Sequence, residues 1–149
     1  MSDIQKLLDI MSSLRCRDTG CPWDIDQTFA SVAPYTLEEA YEVVDAIERE
    51  DWQDLEGELG DLLFQVVFHA RLGEELGEFD FGSVVAAICD KLIRRHPHVF
   101  GDEEDRRRGQ SATSWEQIKA EERASRDQAA GHSALDGVAR TLPALKRAS

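Results

Sequence analysis

Four acids fall in two pairs, Glu39 with Glu42 and Glu58 with Asp61. Each pair is spaced i, i+3 inside a segment of helical pattern. On a helix that spacing sets both carboxylates on one face, roughly 5–6 Å apart at Cβ. Two such helices side by side offer hard oxygen ligands to a divalent cation. Mg²⁺, or Mn²⁺ in its place, held by carboxylates and shared with substrate phosphates, is a recurrent arrangement in phosphoryl chemistry. A diiron bundle would carry Glu-x-x-His motifs. None occurs: the residues three before His69, His96, His98 and His132 are Val66, Ile93, Arg95 and Ala129. An all-oxygen donor set favours Mg²⁺ over iron or zinc.

Cations form a second group. Lys91, Arg94 and Arg95 sit at i, i+3 and i+4, on one side of a helix that ends before Pro97. In an acidic protein such a cluster is a candidate phosphate clamp. The alternative is that the cations offset the dipole at the helix C-terminus. Lys119 either reaches the same site or lies exposed, and Trp115 and Ile118 beside it suit packing. A third group is aromatic. The stretch GCPWDIDQTF gathers Trp23, Asp24, Gln27 and Phe29. An aromatic plane can stack on a base while Asp or Gln bonds its edge; equally, Trp23 can anchor a long loop.

The elements that must position these residues read as helices. Ile4, Leu7, Leu8, Met11 and Leu14 give residues 2–14 a helical period. Gly20, Pro22 and Pro34 break that period, so residues 16–35 are expected as a long loop. Thr36 is expected to cap the next helix, with Glu39 completing a capping box, and that helix should end near Arg49. A third helix is expected over Trp52 to Glu75, ending near Gly77, and a fourth over Phe81 to Arg95. Residues 101–112 read as a charged, mobile loop. Thr113 or Ser114 should cap a last helix over 115–126. No alternating strand pattern is present, so the fold class expected is all-α, a helix bundle.

The helical wheel sorts the acids. On the second helix Leu37, Ala40, Tyr41, Val44 and Ile47 form an apolar stripe, with Glu39 and Glu42 on the other side. The third helix is apolar nearly all round, leaving only Glu58, Asp61, Gln65 and His69 polar. Such a helix is expected to be buried, and buried acids need partners or metal. The polar stripe is therefore expected to face a cleft with Glu39 and Glu42 across it. The alternative is two solvated faces. Glu38 and Asp45 flank the cluster. The apolar circumference exceeds what short neighbours would cover, so a homodimer through an isologous helix interface is expected.

Bulk properties narrow the class. The chain has 149 residues and a net charge of −13. That charge argues against a nucleic-acid polymer as partner, since phosphate backbones need a basic face. A single nucleotide remains compatible. No apolar run reaches membrane-span length, and the start lacks the pattern of a signal peptide. Cys16, Cys21 and Cys89 give an odd count without CxxC, hence no disulfide framework or zinc site. A cytoplasmic protein is expected.

Several blocks, in order, resemble the MazG-type nucleoside triphosphate pyrophosphohydrolases: CPWDIDQTF, APYTLEEAYEVVDAI, DLEGELGDLLFQVVFHA, DKLIRRHPHVF and SWEQIKAEE. The resemblance covers about residues 5–125. It implies an all-α dimer that uses Mg²⁺ bound by an ExxE…ExxD set. It implies hydrolysis of the α–β anhydride of nucleoside triphosphates to monophosphate and pyrophosphate. By resemblance, Glu39, Glu42, Glu58 and Asp61 are the metal ligands and catalytic acids. Lys91, Arg94, Arg95 and Lys119 are phosphate contacts, Trp23 contacts the base, and Asp90 is an additional acid at the metal site. Residues 1–125 are expected to be the catalytic domain. Residues 126–149 resemble the join into a second domain, and the expectation is a truncated or natural single-domain form. The competing expectation is a catalytically silent helical module that binds a nucleotide or a protein.

Overall fold

A computed structural model describes residues 2–108 and 112–130; the tail expected over 126–149 lies largely outside them. Among the described residues eight helices follow one another: α1 (Asp3–Leu14), α2 (Pro22–Ile25), α3 (Phe29–Glu48), α4 (Trp52–Glu75), α5 (Phe81–Arg95), α6 (Pro97–Phe100), α7 (Glu103–Arg108) and α8 (Ala112–Ala130). No strand occurs among the described residues, so the fold is all-α as expected. Two compact units divide the chain, Met1–Ala87 and Ile88–Ser149.

The first unit is built on α1, α3 and α4. Ser2 caps α1 by accepting from the Gln5 amide, and Asp51 caps α4 by accepting from the Asp54 amide at 3.0 Å. These oxygens satisfy amides that the first helical turn leaves open. Met11, Val32, Val67, Phe68 and Leu72 form the core, with Leu7, Leu8, Phe29, Phe64 and Phe81 at its edge. Gly77, at φ +74°, takes the left-handed conformation just past α4, where a side chain would be strained.

The expected loop over 16–35 is shorter than its prolines suggest. Pro22 begins α2, and α3 starts at Phe29, seven residues before Thr36. Thr28 is the cap: its Oγ1 accepts from the Ser31 amide at 3.2 Å, and Ser31 Oγ accepts from the Thr28 amide at 2.8 Å. Pro34 lies inside the helix. Its fixed φ is helical, but it cannot donate a backbone bond to the preceding turn. Gly20 closes the preceding turn. A Cβ there would meet Leu14 O at 2.4 Å and Cys16 O at 2.5 Å.

The wheel expectation for α3 is also corrected. Leu37, Tyr41, Val44 and Ile47 are exposed in the single chain. The face turned to α4 is the neighbouring one, where Val32 and Ala46 are buried and Thr36 bonds Gln65. Apolar periodicity marks the Leu37 stripe, but packing follows the face whose polar groups find partners on α4. The third helix is not buried all round either. Val67, Phe68, Ala70 and Leu72 are in the core, whereas Leu59, Leu63 and Val66 are exposed.

In the second unit, the loop expected over 101–112 contains helix α7. Its sequence EEDRRR puts acids at the N-terminal end and arginines at the C-terminal end, which complements the helix dipole. Glu103 and Arg107 pair at 2.5 Å across one turn. The last helix spans Ala112–Ala130, so Thr113 and Ser114 fall inside it and not ahead of it. Among the described residues, no helix is long and apolar enough to cross a membrane.

Candidate metal centre

Helices α3 and α4 lie side by side, and the acids meet between them. Glu39, Glu58 and Asp61 each place a carboxylate oxygen within 4.8 Å of the others. Glu39 and Glu58 are half-buried and Asp61 is exposed. Glu42 stands outside this trio, one turn along α3, and is exposed. Its charge still reaches the site, because it contributes to the repulsion felt by both Glu39 and Glu58.

That repulsion has a measurable signature. Burial, and then the charges of Asp61, Glu38 and Glu42, raise the Glu39 carboxyl above its ordinary value. Burial raises Glu58 likewise, followed by Asp54, Glu42, Asp61 and Glu39. Like charges drawn together in a partly desolvated place favour the proton over the bare carboxylate. A divalent cation relieves the same strain without a proton, so this all-oxygen donor set suits Mg²⁺ or Mn²⁺.

Beside the acids lies a cavity of about 270 Å³. Trp23, Tyr35, Glu39, Asp61, Gln65 and Phe68 are among its walls. Trp23 meets Tyr35 edge-to-face, centroids 5.9 Å apart at 72°. With 53% of its surface exposed, Trp23 keeps a face available for a planar ligand. The other residues of its loop have structural work. Gln27 Nε2 donates to Trp23 O at 2.8 Å, and Ser31 Oγ donates to Gln27 Oε1 at 2.7 Å. Phe29 stacks on His69, with ring planes 2° apart.

The loop is held from below by Arg15, a residue that no sequence pattern marks. Its Nη1 donates to the carbonyls of Asp24 at 2.6 Å, Ile25 at 3.0 Å and Gln27 at 3.2 Å. Its Nε donates to Glu75 at 3.0 Å, and its guanidinium lies 5.8 Å from the Phe68 centroid. The Arg15 bond and charge hold the Glu75 carboxyl below its ordinary value of 4.5 despite burial. The stability from this depressed group is present above the ordinary value and lost as pH falls through the lowered one. Lysine cannot reproduce the fork. Arg15→Lys is therefore expected to cost about 1.5–3 kcal/mol in urea unfolding. A loss below a few tenths would remove Arg15 from the role of loop clip.

The cations belong to the second unit. Arg94 Nε donates to Glu122 Oε1 at 2.8 Å, and Arg95 Nε donates to Glu122 Oε2 at 2.8 Å. The Arg95 hydrogen bond above all, with Arg94, holds the Glu122 carboxyl down to about 2. Lys91, Arg94 and Arg95 share a cavity of about 730 Å³ with Glu122, Arg123 and Arg126. Lys119 lies 3.8 Å from Glu116, and Asp90 is exposed. The Trp115 side chain lies outside the described residues. The Lys91, Arg94 and Arg95 cluster thus exists, with two of its members already engaged by one carboxylate.

Residues 27–100 match the MazG nucleotide pyrophosphohydrolase domain family. A relative from Escherichia coli K12, a nucleoside triphosphate pyrophosphohydrolase, is 61% identical over 148 residues, 99% of this chain and 55% of the relative. The chain belongs to the MazG family. The nucleoside triphosphate pyrophosphohydrolase/pyrophosphatase MazG of Thermotoga maritima is 46% identical over 119 residues, 80% of this chain and 45% of that protein. Among solved structures, a mazG-related protein from Thermotoga maritima superposes with a TM-score of 0.61 at 26% identity, covering 78% of this chain and 98% of that one. The chain spans about half the length of the E. coli and Thermotoga curated relatives. The MazG match contains all four acids and the Lys91, Arg94 and Arg95 cluster. Trp23 and Lys119 fall outside that match and inside the longer alignment to the E. coli relative, which leaves out one residue of this chain.

Proposed function

We propose that this chain hydrolyses nucleoside triphosphates to nucleoside monophosphate and pyrophosphate with Mg²⁺. The observation that carries the reading is the convergence of Glu39, Glu58 and Asp61, two of which, Glu39 and Asp61, also line an aromatic-walled cavity. The activity named for the E. coli and Thermotoga relatives supports it. Glu39, Glu58 and Asp61 would hold the metal, with Glu42 joining them after a rotamer change. When bound, Mg²⁺ supplies charge neutralisation at phosphate oxygens. The chain's own residues do the rest. Trp23 and Tyr35 seat the base and exclude water from it. A glutamate of the set takes the proton of the water that adds across the α–β anhydride. Lys91, Arg94, Arg95 and Lys119 are phosphate contacts on the strength of the family resemblance. In this role Glu122 must yield Arg94 and Arg95 to substrate.

The exposed row Leu37, Tyr41, Val44 and Ile47, together with Leu59, Leu63 and Val66, supports a homodimer. Light scattering at micromolar concentration is expected to give twice the chain mass; a monomer would overturn the dimer.

The test of the activity is pyrophosphate release from a panel of nucleoside triphosphates with Mg²⁺, beside the double variant Glu42→Gln, Asp61→Asn. Pyrophosphate and monophosphate, lost in the variant, are the expected products. Stepwise phosphate release would mean another phosphatase chemistry. Nucleotide binding without turnover would return the chain to a binding module.

A further inference from the structure

Deeper than the acids lies a polar cluster that the proposed metal chemistry does not use. Thr36 Oγ1 lies 3.0 Å from Gln65 Oε1 and 2.8 Å from His69 Nε2. Gln65 is only 8% exposed, a buried amide in an otherwise apolar stretch of α4. Buried amides are costly unless their hydrogen bonds are met. Among the described residues its oxygen has Thr36, while its nitrogen has no bonded partner and is not among the buried unsatisfied atoms, so it is reachable by water or a ligand. Gln65 also lines the cavity that holds Trp23, Tyr35, Glu39 and Asp61.

Donor accounting fixes which way this amide faces. A threonine hydroxyl has one proton to give. Its distance to Val32 O is 3.4 Å, too long to compete with the shorter contacts. In the first arrangement, His69 Nε2–H donates to Thr36, and Thr36 donates to Gln65 Oε1. The Gln65 N–H₂ group is then the end left free for the cavity that Gln65 lines. In the second, Thr36 donates to His69, and Gln65 must turn its nitrogen to Thr36. Its oxygen would then be the free end in a cavity whose walls include the carboxylates of Glu39 and Asp61, acceptors like itself. Electrostatics selects the first. Protonation of His69 leaves it intact, because Nε2 carries a hydrogen in both forms. The stacked Phe29 ring keeps the imidazole in plane for that bond.

Resting on the nucleotide reading above, we infer that Gln65 is the specificity residue of this cavity: its N–H₂, oriented by Thr36 and His69, donates to a ring carbonyl of the base seated against Trp23 and Tyr35. A fixed donor accepts an oxo group and leaves an exocyclic amino group facing another donor. The cavity should therefore favour bases with an oxo group at the pyrimidine 4-position or the purine 6-position over the counterparts that carry an amino group there. Two matched pairs isolate that difference: UTP against CTP, and ITP against ATP. A site whose hydrogen-bonding groups are fixed rejects the mismatched partner because both groups are left unpaired.

The experiment measures kcat/KM for the four nucleotides with Mg²⁺ in wild type, Gln65→Met, Thr36→Val and Thr36→Ser. Wild type is expected to prefer the oxo member of at least one pair by roughly tenfold or more. Gln65→Met and Thr36→Val should bring the ratio near one, while Thr36→Ser, which keeps the hydroxyl, retains it. A purely structural role would depress both members of a pair equally and leave the ratio unchanged. That result, or a wild-type ratio near one in both pairs, overturns the inference. If no triphosphate is turned over, the hydrolase reading fails separately. Calorimetric binding of the α,β-methylene analogues of UTP and CTP then reads the same preference, and equal affinities overturn it. If Gln65→Met does not fold, Thr36→Val against Thr36→Ser carries the decision.

Discussion

Glu39→Gln is expected to lower pyrophosphate release by about 10²-fold or more and, in the same protein, to raise the melting temperature without metal. The two effects have one origin. Glu39 is brought within ligand reach of Glu58 and Asp61, and burial, followed by the charges of Asp61, Glu38 and Glu42, raises its pKa. Neutral glutamine removes a charge from a place that disfavours charge, so the metal-free fold gains. It also removes a ligand, so the metal-bound fold loses. The sign of the pH dependence follows. For a group raised above its ordinary 4.5, the folded state binds the extra proton. The associated stability is present below that ordinary value and lost as pH climbs through the raised one. Metal-free wild type should therefore lose stability on that climb, and Glu39→Gln should lose less. Mg²⁺ should restore wild type more at about pH 8 than at about pH 5, where protons compete for the ligands. Calorimetric melts with and without Mg²⁺ at the two pH values check all of this. A variant that melts lower than wild type without metal would mean that the trio is held by something other than an awaited cation.

The helices that carry the acids were legible from the sequence because their ends obey local rules. The start at Trp52, the end before Gly77 and the α5 limits at Phe81 and Arg95 follow from capping and turn residues. The start of α3 was not legible. Pro34 signals a break, yet it lies inside a helix that the Thr28–Ser31 box begins one turn earlier. The all-α class and the pairing of Glu39 with the α4 acids came from spacing alone, whereas the packed face of α3 did not. Periodicity gives the most apolar stripe, but which stripe is covered depends on partners that lie far away in sequence. Gln65 and His69 appeared only as a continuation of the polar stripe. Their meaning depends on Thr36, whose hydroxyl reaches across to α4 and does not cap. Arg15 carried no signal at all. A single arginine after a helix has no period, and its three carbonyl partners exist only once residues 22–28 are folded.

Phe68→Ala is expected to cost about 3–5 kcal/mol, the range for emptying a buried aromatic site, and to lower the melting temperature by roughly 6–20 °C. Phe68 is 1% exposed and among the largest fully buried side chains. It packs edge-to-face on Phe64, with centroids 5.9 Å apart, and supports the Arg15 guanidinium from beneath. It is also a wall of the cavity that holds Trp23 and Gln65. Removing the ring thus deletes core packing and enlarges the proposed base pocket at once. Leucine refills part of the volume, so Phe68→Leu should lose less than half as much. Glu39 and Asp61 share this cavity with the ring but stand on other turns of α3 and α4, and the acids should keep their spacing in the partly refilled variant. In Phe68→Leu, KM for nucleotide should accordingly rise more than kcat falls, since the base loses its wall while the ligands remain. Urea unfolding with an unchanged m-value separates lost stability from a changed denatured state. A loss under about 1 kcal/mol for Phe68→Ala would mean the ring does not bear on the core as its burial indicates. A fall in kcat with KM unchanged in Phe68→Leu would place the ring's influence on the acids instead of the base.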